Sequence, residues 1–211
     1  ESPPDFVRYI HIDQTRGDHG LPDAGEIAVT VRNNLRNTLS LDFIEFMTAN
    51  LRRHPSLSWL VVGKGIPPAL QAVIDTEEFS GRIFRISYQK NLPALLRLCD
   101  IYLNPFAEKG AGFTTSDAVM SGLPVVTLDN CDAAVKVGQE FSHADATTYA
   151  AALDQLLAGG RVYRIAQVQA MQHLLIDRLD ARKAVDHLLD VGLRIKRSGR
   201  SQFPVTPPGL P

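Results

Sequence analysis

The sequence predicts an α/β fold: one parallel sheet, helices on both of its faces, and a helical C-terminal region. Three observations point there. Between Glu26 and Leu128, short apolar runs alternate with helix-patterned stretches of about ten residues, the signature of βαβ crossovers. Most of these runs are apolar throughout, as expected of strands covered by helices on both faces. After Asn130 the strand-like runs stop and helical patterning takes over.

Residues 1–25 hold Pro3, Pro4, Gly17, Gly20, Pro22 and Gly25, and read as a lead-in segment with one short extended piece, Phe6–Ile12. Ile27–Val31 is a strand with β-branched residues. Ser40 caps a helix over Leu41–His54, where Phe43, Phe46, Met47, Asn50 and Leu51 recur at helical spacing and Pro55 stops the run. Leu57–Val62 is an apolar strand ending at Gly63-Lys64-Gly65. Pro67 and Pro68 suit a helix start, continued by Ala69–Glu78. Arg82–Ser87 reads as a strand, Leu92–Cys99 as a short helix and Ile101–Pro105 as a strand. A helix opens at Phe113-Thr114-Thr115 with Asp117 in its first turn, and strand Pro124–Leu128 follows. Ala133–Phe141, Ala146–Leu157 and about Arg161 to Lys196 read as helices. In the last, Ile165, Val168, Leu175, Leu179, Val185, Leu188 and Leu189 fall largely on one side. Arg194–Pro211 is basic, then proline-rich. The resulting organisation is a lead-in at 1–25, a domain at 26–196 and a proline-rich tail at 197–211, without internal repeats.

The 211 residues suit one sizeable domain, and 45% hydrophobic residues supply its core. A net charge of −1 argues against a nucleic-acid partner. Cys99 and Cys131 lack metal-ligand spacing; Cys99 sits in an apolar run and reads as a reduced core thiol, which fits a cytoplasmic location. Association with the inner membrane face stays open beside it. No apolar run is long enough to span a membrane, and no signal peptide is visible. The chain begins at Glu1 rather than Met, so a fragment of a longer protein is one expectation. His11, His19, His54, His143, His173 and His187 show no metal pattern. No Ser-His-Asp set or carboxylate pair is legible, so no catalytic base is assigned.

Ligands of parallel sheets bind beyond the carboxyl ends of strands. Two glycine-rich turns fall there: Gly63–Gly65, and Lys109–Gly112 with Gly110 between. In the second, glycines admit close backbone approach, and a helix N-terminus with Thr114 and Thr115 offers donors to phosphate. Asp117 is unsuited to a phosphate but can accept the two hydroxyls of a ribose. Thr-Thr-x-Asp therefore reads as a nucleotide-diphosphate site; a glycine turn with an N-capped helix is the plainer alternative. Arg32 and Arg36, flanking Asn33, Asn34 and Asn37, could neutralise a diphosphate or lie in a solvated loop. Lys64 with its flanking glycines could assist a phosphate or form an ordinary turn. Tyr88 and Gln89 could face a base or sit on the surface. A full Walker motif is missing, as is G-x-G-x-x-G after the first strand, against a P-loop NTPase and an NAD-binding domain.

With these residues in view, Tyr102–Gly138 resembles the nucleotide-sugar half of GT-B glycosyltransferases, whose domains are Rossmann-like. The run Gly112-Phe113-Thr114-Thr115-Ser116-Asp117, followed by Gly122-Leu123-Pro124-Val125-Val126-Thr127, is similar to the signature of the protein O-GlcNAc transferase-like group. The glycosyltransferase group 1 families carry a glutamate at the aspartate's point. Gly20-Leu21-Pro22 and His54–Leu60 extend the likeness upstream, so it covers roughly Gly20 to Phe141.

The resemblance implies that Thr114 and Thr115 donate to the donor diphosphate and that Asp117 holds the ribose. It implies hexosyl transfer from a nucleotide sugar, with UDP the leading expectation, to a protein, glycan or lipid-linked acceptor. It implies no cofactor or metal, and a preceding domain that binds the acceptor and completes the active site. Two departures stand out. Phe113 replaces a histidine, and asparagine replaces the basic residue expected near Asn34–Asn37, leaving Arg32, Arg36 or Lys109 to compensate. The rival readings are a non-catalytic interaction protein with this fold and a nucleotide-sugar epimerase.

Overall fold

The computed structural model describes residues 14–106 and 112–179. The expected extended piece Phe6–Ile12, the loop residues Lys109 and Gly110, and everything after Leu179 lie outside them. The chain forms two compact units, 1–175 and 176–211. The sheet belongs to the first; of the second, only the end of one helix is described.

The strands are β1 (Glu26–Asn34), β2 (Leu57–Lys64), β3 (Ile83–Ile86), β4 (Ile101–Leu103), β5 (Val125–Leu128) and β6 (Ser142–His143). Among the described residues they form one sheet in the order β3-β2-β1-β4-β5-β6, with every pair parallel. The chain builds outward from β1 to β3, then returns to the centre with β4 and builds the other way. Crossovers leave β1 and β4 in opposite directions, so a crevice opens between their carboxyl ends.

The helices are α1 (Leu35–Thr38), α2 (Leu41–Arg53), α3 (Pro68–Ile74), α4 (Leu92–Leu96), α5 (Gly112–Met120), α6 (Asp132–Val137), α7 (Ala146–Ala158) and α8 (Gly160–Leu179). The predicted cap of α2 is present: the Phe43 amide donates to the Ser40 hydroxyl at 3.2 Å. At α7, Asp145 and Thr148 form a reciprocal capping pair.

Strand side chains alternate between two cores. Ala28, Leu57, Trp59, Val61, Leu103 and Val126 pack with Phe43, Met47 and Leu51 of α2 and Tyr149 and Leu153 of α7. Val29, Leu60, Val62, Tyr102 and Val125 pack on the other face with Leu95, Val119, Val137 and Met171. Helices thus cover both faces, and the continuously apolar strands are explained.

Several boundaries differ from expectation. The strands do not stop after Asn130: Ser142–His143 forms β6 beside β5, too short and polar to leave a hydrophobic signal. β1 does not end at Val31 but continues through Arg32 to Asn34, beside β2, with a bulge between Val31 and Asn34. Helix α3 stops at Ile74 instead of Glu78, where the Thr76 hydroxyl donates to the Val73 carbonyl, and a separate 3₁₀ turn follows at Glu77–Phe79. Helix α6 ends at Val137 because Gly138 takes φ +102°, with another 3₁₀ turn at Gln139–Phe141. Helix α4 ends at Leu96 rather than Cys99.

Candidate functional site

Arg32 is the central finding at the carboxyl rim. The reading of it as a solvated loop residue is wrong: it lies within β1 and is only 5% exposed. Its Nη2 donates to Oδ1 of Asn104, just past β4, at 2.9 Å. The contact spans the crevice where the crossovers diverge. Asn104 is wholly buried and works in several directions. Its Nδ2 donates to the Thr127 hydroxyl at 2.9 Å and also reaches Sγ of Cys131 at 3.2 Å. The Tyr149 hydroxyl donates to its backbone carbonyl at 2.9 Å. One buried amide therefore ties together the ends of β1, β4 and β5. Asn104 was not among the expected site residues. The available signal was a polar residue closing an apolar strand directly before Pro105.

Beside Arg32, a cavity of about 220 Å³ opens between the ends of β1, β2 and β3, lined in part by Asn33, Gly63, Lys64, Tyr88 and Gln89. Four of the sequence's candidates, Arg32, Lys64, Tyr88 and Gln89, thus meet around one space. The Lys64 ammonium sits over the Tyr88 ring, 5.8 Å from its centroid, and Tyr88 is otherwise exposed. Gly63 makes this geometry possible: a Cβ there would lie 1.8 Å from the Arg32 carbonyl oxygen, so the bulged end of β1 can approach only a glycine. Arg36 and Asn37 are exposed in α1, and the Arg36 side chain approaches Gly65, not the cavity lining.

Helix α5 follows β4 on the same rim. It begins at Gly112, so Asp117 lies in its second turn, not its first as expected. Thr115 is fully buried, Thr114 partly buried and Phe113 93% exposed. Phe113, Thr114 and Asp117 share a face by helical spacing. Burial holds the Asp117 carboxyl above the ordinary carboxylate range. Tyr102 of β4 is buried, and its hydroxyl has no hydrogen-bond partner among the described residues. Burial raises its phenol, and the charge of Arg32 acts against that rise while Asp117 adds to it. Arg32 and Asp117 therefore act on the same phenol from different elements, with opposite sign.

Elsewhere, both cysteines are buried and unbridged. Burial, with Asp100 adjacent, pushes the Cys99 thiol up, as a core thiol requires. His143 ends β6, its ring near Tyr149, and burial lowers its pKa. His54 Nε2 lies 2.8 Å from Asp154 on the outer side of α7.

The strand order and the crevice at its switch point define the class: a doubly wound, Rossmann-like domain. The sequence profile described as "Glycosyl transferases group 1" matches residues 31–159, and the chain belongs to that family. Solved structures agree on the fold. WaaG, a glycosyltransferase involved in lipopolysaccharide biosynthesis, superimposes with a TM-score of 0.59 at 20% identity, covering 85% of this chain and 48% of WaaG. The C-terminal domain of a group 1 protein, LpcC, from Francisella tularensis gives 0.63 at 20% identity, covering 81% of this chain and 96% of that domain. The pneumococcal O-GlcNAc transferase GtfA, solved with UDP and GlcNAc, gives 0.53 at 19% identity, covering 78% of this chain and 37% of GtfA. The chain thus spans less than half of WaaG but nearly all of an isolated C-terminal domain. No match is found among curated proteins.

Proposed function

We propose that this chain is the donor-binding half of a glycosyltransferase that moves a hexosyl group from a nucleotide diphosphate sugar, UDP-linked in the first instance, to an acceptor. The single observation carrying this reading is the Arg32–Asn104 contact: a buried guanidinium held at the crevice where the sheet changes direction. Membership of the group 1 family and the UDP bound to GtfA support it.

The reaction forms a bond between the acceptor oxygen or nitrogen and the sugar's anomeric carbon. It breaks the bond from that carbon to the diphosphate, whose oxygen keeps the electron pair. Charge therefore gathers on the diphosphate, and the protein's task is to meet it. Arg32, Lys64, the α5 N-terminus and the Thr114 hydroxyl are the groups for it, whereas Thr115 is buried within α5's packing. Asp117 accepts the ribose hydroxyls, and Tyr88 lies flat against the base. The cavity is smaller than the ~300–1,000 Å³ of a typical ligand pocket, so it takes part of the nucleotide, with the rest along the open rim. The base that removes the acceptor's proton belongs to a preceding acceptor-binding domain, and the sheet-bearing unit that ends at Leu175 is the donor domain. The two buried, unbridged cysteines favour a cytoplasmic location. Among the described residues no helix is long and apolar enough to cross a membrane.

Calorimetric titration of UDP and UDP-sugars into this chain tests the reading. UDP should bind, and Lys64→Ala and Thr114→Val should each weaken it by about tenfold. Absence of UDP binding, or binding indifferent to both substitutions, would sink the proposal and favour a non-catalytic interaction role.

A further inference from the structure

A second cavity, of about 420 Å³, lies at the opposite rim, by the amino ends of β1, β4 and β5. Arginines at positions 16, 97, 161 and 164 line it, together with Asp100 and the half-exposed Ile165. The four guanidiniums are not equivalent. Arg16 is fully engaged: it donates to the Leu98 carbonyl at 2.9 Å, the Gly25 carbonyl at 3.0 Å and Asp100 at 2.7 Å. Arg164 donates to the Leu156 carbonyl at 3.2 Å and reaches Glu26 and Asp100 only at 3.9 and 3.8 Å. Arg97 and Arg161 are exposed, and their guanidiniums make no hydrogen bond or ion pair among the described residues.

Among the described residues, the two carboxylates within reach of these guanidiniums, Glu26 and Asp100, pair with Arg16 and Arg164, so the surplus of positive charge falls on Arg97 and Arg161. They come from separate elements, one closing α4 and the other opening α8. Guanidinium forks match phosphate oxygens two at a time, and two forks across one cavity suit a group with several anionic oxygens. Ile165 supplies an apolar side, which favours an esterified phosphate.

We propose that this cavity is a second anion site, binding a phosphate group between Arg97 and Arg161. It is separate from the donor site by the full length of the strands and does not depend on that reading. The phosphate is either a free ion or ester or the headgroup of an anionic lipid.

The test uses the full 211-residue chain and the double variant Arg97→Ser/Arg161→Ser, whose circular dichroism should be unchanged because both side chains are exposed. Inorganic phosphate is titrated by NMR, and sedimentation is compared with phosphatidylglycerol and phosphatidylcholine vesicles. Phosphate binding that falls about tenfold or more in the variant, with UDP affinity intact, supports the site and a soluble ligand. Retention on phosphatidylglycerol but not phosphatidylcholine, lost in the variant, supports it with a headgroup as ligand. If neither probe binds, or binding survives both substitutions, the proposal is overturned. Arg97→Lys/Arg161→Lys should restore binding only in part, since charge returns without the fork.

Discussion

The two rims of this sheet both gather arginine, yet they hold it in opposite ways. At the carboxyl rim Arg32 is buried, emerges from a strand and is fixed by Asn104 at 2.9 Å. At the amino rim Arg97 and Arg161 are exposed at helix ends. A buried guanidinium on a rigid element loses little further freedom when an anion arrives, whereas two exposed ones must be ordered at that moment. The first arrangement suits tight, oriented binding of an anion. The second suits looser capture of an anion. The carboxyl rim should accordingly be the costlier one to disturb.

The largest expected effect is at Gly63. Gly63→Ala sets a methyl against the Arg32 carbonyl and should destabilise the domain by about 3 kcal/mol, with loss of UDP binding, read by urea denaturation and calorimetry. A neutral result would mean that the bulge in β1 relaxes freely and that Arg32 is less rigidly placed. Asn104→Leu comes next. It strips the buried hub that serves Arg32 and Thr127, at a cost of about 2–3 kcal/mol. The fall in UDP affinity should exceed that of Lys64→Ala, because Arg32 loses its anchor.

At the amino rim the strongest single contact is Asp100, whose Oδ2 accepts both from Arg16 at 2.7 Å and from the Ile27 amide at 2.8 Å. Asp100→Asn should cost about 1–2 kcal/mol in urea denaturation, less than either carboxyl-rim change, and leave UDP affinity unaltered. Equal losses at both rims would erase the contrast.

The smallest effect concerns pH and sharpens the comparison within the carboxyl rim. Burial makes native Asp117 bind its proton more tightly than the unfolded chain does. Stability should therefore fall as pH rises from the ordinary carboxylate value through the raised native one, then level off. Nucleotide affinity should move the other way, since only the carboxylate accepts both ribose hydroxyls. It should decline on acidification earlier than for an ordinary aspartate. Asp117→Asn should flatten both profiles; unchanged profiles in that variant would remove Asp117 from the site.

Much of this was legible in the chain. Continuous apolar strands such as Leu57–Val62 and the Ser40 cap carry local physical signals, and both stand in the structure. The Thr-Thr-x-Asp run led to the right fold family. What escaped was whatever depends on a neighbour distant in sequence. Arg32 looks like a loop arginine until β2 and β4 are placed beside it. Asn104 has no local reason to matter, and β6 has no hydrophobic pattern at all.

By itself, then, the order of residues determined the α/β class, the parallel pairing and the Gly63–Gly65 turn, because periodicity and backbone conformation act over a few residues. Only the tertiary structure decided that Arg32 is buried, that Asn104 joins three strand ends and that four arginines meet at the other rim. Those facts rest on the return of β4 to the side of β1, a contact between residues more than seventy positions apart that no local pattern encodes.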